Sequence, residues 1–384
     1  MKEPRRVAFD VVRRVFEEDA YADRAFRAAA EGLDPRDHAF AMQLAYGTVQ
    51  RVRPLDYAIE TLGRRPVRKL DPPVRAALRL GAYQLAYMGS VPAHAAANET
   101  VELVRAVGLE RAVPFANAVM RRLGEGIEHL LAGLSEDTPA AAALKQSYPD
   151  WVAEVWWDEL GGTAALDLMR AQNEPPERVL REPSGGLVAA WPQSRGSQLA
   201  GAAMGARPGE RVLDLCAAPG GKATQLVAAG AEVVAVEKHP GRARELEANA
   251  ARLGARLQVV QADALELSGD LTGFDRVLVD APCSGLGVLN SRPDLRWRAK
   301  PLPDLQLELL RVAAARARPG GTVTYSVCTI HRAENEAVVD ALGLPYDDLG
   351  AEFPDYAHPR RPEFLLTLPH VHGTSGFFVA RLRT

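Results

Sequence analysis

Two of the three cysteines in this chain stand in short loops that directly follow predicted β-strands. Cys283 lies in the run Asp280-Ala281-Pro282-Cys283-Ser284-Gly285, and Cys328 lies in the run Tyr325-Ser326-Val327-Cys328-Thr329. Loops at the carboxyl ends of parallel strands are where α/β sheets bind their ligands. A thiolate in such a loop can act as a nucleophile that forms a covalent intermediate. The spacing therefore predicts nucleophilic cysteine chemistry beside a bound cofactor.

The third cysteine begins a glycine-rich turn between a predicted strand (211–215) and a predicted helix (223–228). Small residues in such a turn let backbone amides approach a ligand at the start of a helix. The turn has neither the GxxxxGK[ST] spacing of a phosphate loop nor the GxGxxG spacing of a dinucleotide site. The residues of this turn predicted to bind a cofactor are Cys216, Ala217, Ala218, Pro219, Gly220, Gly221 and Lys222.

Two acidic residues indicate the kind of cofactor. Glu237 ends the second predicted strand, where a carboxylate can accept hydrogen bonds from both hydroxyls of a ribose. Asp263 follows the third predicted strand, where it could bind the amino group of an adenine. Acids at these two places, without a pyrophosphate loop, favour a nucleoside such as S-adenosylmethionine. The alternative for both acids is helix capping or simple exposure to solvent.

A methyl-transfer reaction explains why thiols would accompany such a cofactor. Carbon 5 of cytosine is too poor a nucleophile to attack a methyl sulfonium, but addition of a thiolate to carbon 6 makes carbon 5 enamine-like. Asp280 could stabilise this adduct near nitrogen 3 of the base. A second polar group such as Cys283 would help to eliminate the first thiol. The alternative for each cysteine is an inert position in the core.

Two kinds of apolar periodicity divide the chain. Residues 1–125 show helical spacing and predict about five short helices in a compact domain, whereas strands and helices alternate after residue 200. Such alternation implies a parallel sheet with right-handed crossovers. The predicted helices include 55–62, 74–88, 95–107 and 113–123. The predicted strands are 211–215, 232–237, 257–262, 276–280 and 322–326. A closing hairpin is predicted from 365–368 and 376–382.

The bulk composition fits a globular protein of two or three domains, with 384 residues, 47% apolar and 25% charged. No run of 18 apolar residues predicts a membrane span, and the first residues lack the apolar run of a secretory signal. Three cysteines without a CxxC or Cys/His cluster argue against a disulfide framework and against a zinc site. A cytoplasmic, monomeric protein without a metal is expected.

Charge is distributed unevenly along the chain. The net charge is −3, but residues 1–125 carry +4 and the remainder carries −7. Eight cations lie between Arg51 and Arg79, against three acids. Such a cluster could contact phosphates. It could equally be a solvated helical face, since arginine greatly outnumbers lysine throughout the chain.

The cysteine loops and the glycine turn resemble the RsmB/Fmu-type RNA cytosine-5 methyltransferases of the Nop2/Sun grouping. The helical part resembles the NusB-like domain of the members that act on ribosomal RNA. The segments that carry the resemblance are Asp214-Leu215-Cys216-Ala217-Ala218-Pro219-Gly220-Gly221-Lys222, Asp280 to Gly285, Arg292-Pro293-Asp294, Tyr325 to Thr329, Gly376-Phe377-Phe378-Val379-Ala380, Tyr46-Gly47-Thr48-Val49, Leu78 to Leu85, Val91 to Val101 and Asn117 to Arg122.

The resemblance implies a multidomain protein with an all-α NusB-like helical RNA-binding domain (1–125) and a Rossmann-like class I S-adenosylmethionine methyltransferase domain (201–384). The mixed connector between them (126–200) is shorter than in the family. A metal has no role in this scheme.

The resemblance also implies a role for each predicted site residue. Cys328 attacks carbon 6, Cys283 assists product release, and Asp280 contacts both cofactor and base. Glu237 and Asp263 hold ribose and adenine. The implied substrate is a cytosine in small-subunit ribosomal RNA. The alternatives are a non-catalytic RNA-binding ribosome assembly factor, or a methyltransferase acting on transfer RNA or on protein.

Overall fold

The computed structural model of the protein describes residues 3–384, and its chain forms two compact units. The first unit runs to Asn173 and also includes Leu289–Arg298. The second unit comprises Glu174–Val288 and Ala299–Thr384. The segment 289–298 therefore leaves the second unit shortly after the Cys283 loop and belongs to the first.

The first unit is helical, as predicted. Its central helix packs against five of the other helices, and nearly all residues from Val74 to Gln84 in that helix are buried. Pro4, Pro35 and Pro72 open helices, where the amide that proline lacks would have had no helical partner. The helices are α1 (Pro4–Glu17), α2 (Ala22–Ala29), α3 (Pro35–Gln50), α4 (Val52–Gly63), α5 (Pro72–Tyr87, the central helix), α6 (Ala93–Ala106), α7 (Val113–Ala132), α8 (Pro139–Gln146), α9 (Asp150–Leu160), α10 (Gly162–Ala171) and α14 (Leu295–Arg298).

Helix α7 is longer than the sequence predicts. The predicted helix stops at Leu123, just before Gly124 and Gly126, each of which costs a helix interior about 1 kcal/mol relative to alanine. The helix nevertheless continues to Ala132, because Leu123 and Ile127 stand one turn apart and are both buried. Tertiary burial thus outweighs the low helix propensity of the two glycines.

Of the eight cations between Arg51 and Arg79, two form ion pairs within the helical unit, four are exposed, and Arg51 and Arg75 are half-buried. Arg79 is buried and pairs with Asp56 through two contacts of 2.6 and 2.7 Å, and Arg53 pairs with Asp150 at 2.7 Å. These cations stabilise the helical unit from within. The cations exposed to solvent are Arg64, Arg65, Arg68 and Lys69, in the turn between α4 and α5.

The returning segment Leu289–Arg298 is built into the first unit by a buried arginine. The Arg296 guanidinium donates hydrogen bonds to the backbone carbonyl groups of Ser147 (3.1 Å) and Gln172 (2.8 Å), and to the Asn173 side chain (2.8 Å). It also lies 4.1 Å from the centre of the Tyr148 ring. Burial lowers the pKa of Arg296 to about 10. The segment is therefore a structural part of the helical unit.

The second unit contains a seven-stranded sheet in the order β5-β4-β3-β6-β7-β9-β8 and a separate pair, β1 with β2. The strands are β1 (Leu180–Arg181), β2 (Trp191–Pro192), β3 (Arg211–Asp214), β4 (Glu232–Glu237), β5 (Gln258–Gln261), β6 (Phe274–Asp280), β7 (Ala317–Val327), β8 (Leu365–Thr367) and β9 (Phe377–Arg383). The helices are α11 (Arg195–Ala203), α12 (Gly221–Ala228), α13 (Pro240–Leu253), α15 (Pro303–Arg316), α16 (Glu336–Leu342), α17 (Leu349–Glu352) and α18 (Pro369–His372).

The sheet confirms the predicted parallel arrangement. Strands β5, β4, β3, β6 and β7 run parallel to one another, and β9 pairs antiparallel with β7. Strand β8 with β9 forms the predicted antiparallel pair. The strand order reverses between β3 and β6. In open α/β sheets this reversal opens a crevice at the carboxyl ends of the strands, where ligands bind. The glycine turn after β3 and the Asp280 loop after β6 border that crevice.

Candidate active site

The glycine turn connects β3 to α12 at the point where the strand order reverses. Gly220 has a φ of 109°, a conformation that favours glycine. A Cβ atom there would also lie 2.7 Å from a methyl group of Leu246. Helix α12 starts at the next residue. Backbone strain and crowding both explain why the turn needs glycine at this position.

Asp214 and Cys216 lie at the base of this turn and are poorly solvated. Asp214 is 1% exposed, and its Oδ1 atom accepts a hydrogen bond of 3.3 Å from the Cys216 amide. Burial, together with the nearby charge of Asp280, raises the pKa of Asp214 to about 7. Burial likewise raises the pKa of the Cys216 thiol. Cys216 is therefore suited to line the turn and is not suited to act as a thiolate.

The two predicted cofactor acids stand where β4 and β5 end. The Glu237 carboxylate accepts a hydrogen bond from the His239 amide (2.9 Å) and lies 3.4 Å from the Arg242 guanidinium. Asp263 accepts from the Leu265 amide (3.1 Å) and pairs with Lys238 at 2.6 Å. Of these amide contacts, only that of Asp263 is the capping role that the sequence left open, because the Glu237 side chain does not cap α13. Binding of a ligand is compatible with them, since each carboxylate has further lone pairs.

Hydrogen bonds to Lys238 and to the Leu265 amide lower the pKa of Asp263. The Asp263 side chain therefore presents an ionised carboxylate at the edge of the sheet at neutral pH. An ionised acceptor is what an exocyclic amine or a ribose hydroxyl binds most strongly.

Asp280, at the end of β6, is connected to both neighbouring strands. Its Oδ2 atom pairs with the Lys222 ammonium at 2.8 Å, and its Oδ1 atom accepts a hydrogen bond of 2.6 Å from the Ser326 hydroxyl. Lys222 comes from the glycine turn, and its ammonium also lies 4.8 Å from the centre of the Phe377 ring. The lysine is buried and is engaged by Asp280. Its contacts fix the orientation of Asp280.

The two cysteine loops meet, as the prediction requires. The Sγ atoms of Cys283 and Cys328 are 3.4 Å apart. A disulfide bond would need about 2.05 Å, so the two groups are neighbouring thiols. They meet because β6 and β7 are adjacent and parallel, with Asp280 opposite Ser326.

Glycines bring the two loops together. The Gly287 amide donates a hydrogen bond of 2.9 Å to the Cys328 carbonyl group, and the Gly376 amide donates one of 2.8 Å to the Gly287 carbonyl group. A Cβ atom at Gly287 would lie 2.1 Å from the Gly376 oxygen. Only glycine permits this close backbone approach beside the thiols.

The electrostatic surroundings of Cys283 disfavour its thiolate. The hydrogen bond with Cys328 and burial raise the pKa of Cys283 well above its usual value, and the charge of Glu334 acts in the same direction. Cys283 therefore remains a protonated thiol at neutral pH. A protonated thiol can donate or relay a proton, whereas a nucleophile must be a thiolate.

Glu334 is a site residue that the sequence analysis missed. It is 0% exposed and ends a short 3₁₀ turn (Arg332–Glu334) after the Cys328 loop. Its carboxylate accepts hydrogen bonds from the Ser284 amide and hydroxyl, from the Leu302 amide and from the Gln306 side chain. In the sequence it stands in a charged run, Arg332-Ala333-Glu334-Asn335-Glu336, that reads as surface. Only the fold shows that this carboxylate is buried.

The donor set fits S-adenosylmethionine. Four carboxyl groups lie at the ends of the four strands β3, β4, β5 and β6, or immediately after them: Asp214, Glu237, Asp263 and Asp280. Acidic acceptors suit hydroxyls, amines and a positively charged sulfur, and they oppose phosphate. The one lysine of the glycine turn is paired with Asp280 and does not offer a phosphate site.

Residues 3–384 show neither a cluster of metal ligands nor a membrane-spanning helix. Over this range, no group of three or more histidine, cysteine, aspartate or glutamate side chains is arranged to hold a metal ion. Likewise, none of the helices in the described part of the chain combines the length and the apolar character needed to cross a bilayer.

Comparison with known proteins places both halves of the chain in context. A family model described as 16S rRNA methyltransferase RsmB/F matches residues 202–383, and a NusB family model matches residues 2–125. A probable ribosomal RNA small subunit methyltransferase B from Synechocystis sp. is 31% identical, and the alignment covers 99% of each chain. The ribosomal RNA small subunit methyltransferase B of Thermus thermophilus is 33% identical, covering 94% of this chain and 92% of the relative.

A solved structure shares the whole fold. The crystal structure of PH0851 superposes with a TM-score of 0.82, covering 100% of this chain and 99% of that chain, at 21% sequence identity. At this identity the likeness shows a common fold.

Proposed function

This chain belongs to the 16S rRNA methyltransferase RsmB/F family, and from that premise we propose that it methylates carbon 5 of a cytosine in small-subunit ribosomal RNA through a cysteine adduct at carbon 6. The coarser activity, S-adenosylmethionine-dependent methylation of RNA, follows from family membership. The observation that carries the finer proposal is the 3.4 Å separation of the Cys283 and Cys328 Sγ atoms.

S-adenosylmethionine supplies an electrophilic methyl group on a positively charged sulfur. The residues that would hold it are those of the glycine turn, Cys216 to Lys222, with Glu237 for the ribose and Asp263 for the adenine. Gly220 and Gly221 leave room for close approach of a ligand to the backbone at the start of α12. Asp280, oriented by Lys222 and Ser326, would contact both the donor and the base.

Cys328 is the proposed nucleophile. Its thiolate forms a bond to carbon 6 of the base, and the electron pair of the carbon 5–carbon 6 double bond becomes available at carbon 5. Carbon 5 would then bond to the methyl group, while the bond from that methyl group to the sulfonium sulfur breaks and leaves a neutral thioether. Loss of the proton from carbon 5 restores the double bond, breaks the sulfur–carbon bond and returns the thiolate. Every bond formed by Cys328 is thus broken again in one turnover.

Cys283 is the proposed partner in release. Its raised pKa keeps a proton on its sulfur at neutral pH, which disfavours it as a competing nucleophile. A thiol 3.4 Å from the Cys328 sulfur is within reach to assist departure of that sulfur from carbon 6.

The RNA is assigned from the relatives and from charge. Both curated relatives described above are named as small subunit methyltransferases, and a NusB family model covers the helical part. The exposed cations of the turn 64–69 offer contacts to phosphates. A monomer in the cytoplasm, where ribosomal RNA is made in bacteria, completes the proposal.

The test is methyl transfer from labelled S-adenosylmethionine to small-subunit ribosomal RNA that lacks the modification, with mapping of 5-methylcytosine. The wild-type chain should label one or a few cytosines. Cys328→Ala should abolish transfer while equilibrium titration still detects S-adenosylmethionine binding, because the cofactor residues are untouched. Full turnover by Cys328→Ala would refute the assigned nucleophile.

Cys283→Ala provides the second arm of the test. It should leave the attack by Cys328 intact but slow release, so that a covalent protein–RNA species accumulates and survives denaturing electrophoresis. Absence of that species, with normal turnover, would remove Cys283 from the mechanism. Absence of S-adenosylmethionine binding in the wild-type chain would instead favour an RNA-binding assembly factor.

A further inference from the structure

The carboxylate of Glu334 connects three separate stretches of the second unit. Its Oε1 atom accepts hydrogen bonds from the Ser284 amide, the Leu302 amide and the Gln306 side-chain amide, each at 3.0 Å. Its Oε2 atom accepts from the Ser284 hydroxyl. A buried carboxylate is stable only when such donors replace its lost water. The donors here are complete enough to keep it in place.

These contacts extend to both cysteine loops. The Ser284 hydroxyl lies next to Cys283 and also contacts the Thr329 hydroxyl at 2.9 Å, next to Cys328. The Gln306 side chain donates a second hydrogen bond, of 2.9 Å, to the Pro282 carbonyl group. Each cysteine is therefore flanked by a residue of the same buried network.

The network also places a carboxylate close enough for its charge to act on the Cys283 sulfur. The groups that act electrostatically on Cys283 are Cys328 and Glu334, while Tyr325 feels the charge of both Cys283 and Glu334. The Tyr325 hydroxyl donates to the Glu334 backbone carbonyl group at 2.6 Å.

We propose that Glu334 is a positioning residue that holds the Cys283 loop against the Cys328 loop and places its carboxylate beside Cys283, so that the two neighbouring thiols take different roles. The assignment of those roles rests on the proposed function, whereas the connection between the loops does not. Glu334 itself touches neither substrate nor cofactor in this proposal. It acts through Ser284 and through its charge.

A nearby glutamate shows that burial alone does not create this arrangement. Glu336 is also buried, at 3% exposure, but its carboxylate pairs with His358 at 2.8 Å. That pair connects α16 to the segment before β8 and involves neither cysteine loop. Glu336 is therefore a matched control for substitutions at Glu334.

Glu334→Gln tests the charge with little change in shape. A glutamine oxygen can keep the three hydrogen bonds of Oε1, and its amide can donate to the Ser284 hydroxyl, which also accepts. We expect the pH profile of Cys283 alkylation by iodoacetamide, read by peptide mass spectrometry on the full chain, to move to lower pH. A shift of one pH unit makes alkylation about tenfold faster below the midpoint.

Glu336→Gln should leave that profile where it is in the wild-type chain. The proposal is overturned if Glu334→Gln leaves the Cys283 midpoint unchanged. It is also overturned if Glu336→Gln produces the same shift, because general loosening of the fold would then explain both.

Ser284→Ala tests the mechanical link while the charge stays. The variant loses the hydroxyl that joins Glu334 to Thr329 but keeps the Ser284 backbone amide contact. We expect disulfide formation between Cys283 and Cys328 in diamide to slow severalfold, because the sulfurs are no longer held as near neighbours. In that reaction two thiols lose their protons and two electrons to the nitrogen–nitrogen double bond of diamide, which becomes a hydrazine. An unchanged rate would overturn the positioning role.

These readouts are independent of methyl transfer. If wild-type protein forms no adduct with RNA, the proposed function fails, but the alkylation profile and the diamide rate still report on Glu334. If RNA adducts form normally and Glu334→Gln changes neither the alkylation profile nor the ratio of adduct formation to release, the proposed function stands and the role of Glu334 is wrong.

Discussion

The two sides of the crevice hold their acidic residues in opposite ways. After β4 and β5, Glu237 and Asp263 each accept from an amide only two residues further along the chain. After β7, Glu334 accepts from amides 32 and 50 residues away, and solvent does not reach it. The first side fixes its acids locally and can present them to a ligand. The second side uses its acid to hold the protein together around two thiols.

The largest difference should appear in stability. Glu334→Ala leaves the Ser284 and Leu302 amides and the Gln306 side chain without an acceptor, which should lower the free energy of unfolding by about 3 kcal/mol or more. Glu237→Ala removes the acceptor of a single hydrogen bond from the His239 amide and should cost about 1 kcal/mol. Urea unfolding of both variants measures the contrast. Equal losses would break the distinction between the two sides.

Asp214 lies between the two sides and should give stability an unusual pH dependence. Its pKa is raised from 3.8 to about 7 in the folded chain by burial and by Asp280, with Lys222 and the Cys216 amide acting in the opposite direction. The folded state therefore holds a proton that the unfolded state releases between pH 4 and 7. This contribution to stability is complete below about pH 4 and is lost as pH rises to 7.

Asp214→Asn should remove that loss. The variant should gain stability relative to wild type as pH rises from 4 to 7, by roughly 2–4 kcal/mol at pH 8, in paired urea titrations. Asparagine retains an oxygen for the Cys216 amide. A stability difference that stays constant across this range would mean that Asp214 is ionised in the folded chain throughout.

Glu237→Gln sharpens the comparison in terms of affinity. Loss of a charged acceptor for two ribose hydroxyls should weaken S-adenosylmethionine binding by about 2 kcal/mol, roughly thirtyfold. The urea midpoint should change little. Isothermal titration of the variant, with Glu336→Gln as the control, measures the effect. A stability loss without an affinity loss would identify Glu237 as structural.

The smallest effect is expected at the exposed partner of Asp263. Lys238→Met removes an ion pair on the surface, and such pairs contribute little to stability. The urea midpoint should not change measurably, and S-adenosylmethionine affinity should change by less than in Glu237→Gln. A large drop in stability would show that the local contacts on this side carry more of the fold than their exposure indicates.

Much of this arrangement follows from local patterns in the sequence. Strands β3, β4 and β6 end in an acidic residue, and the meeting of the Cys283 and Cys328 loops could be predicted on the condition that β6 and β7 are neighbours. Glu334 could not, because its burial depends on residues far away along the chain. A charged run of five residues ordinarily lies on the surface.

The helical unit shows the same limit. Helix α2 was missing from the predicted helices because its eight residues give too short a periodic pattern. The end of α7 was wrong because the cost of glycine is local, whereas the burial of Ile127 is a property of the whole unit. No pattern in the sequence places Leu289–Arg298 among helices that precede it by more than 100 residues.

The path of Leu289–Arg298 limits how this protein can be dissected. A fragment that ends at Asn173 would retain the Tyr148 ring and the carbonyl groups of Ser147 and Gln172. It would lack Arg296, whose guanidinium is the only one among the described residues that contacts all three groups. Truncation of the gene at that codon would therefore yield an incomplete domain with exposed acceptors. The chain leaves the first unit after residue 173, returns to it after residue 288 and leaves it again after residue 298. Separate expression of the helical unit therefore requires that the ten residues Leu289–Arg298 be joined to the fragment that ends at Asn173.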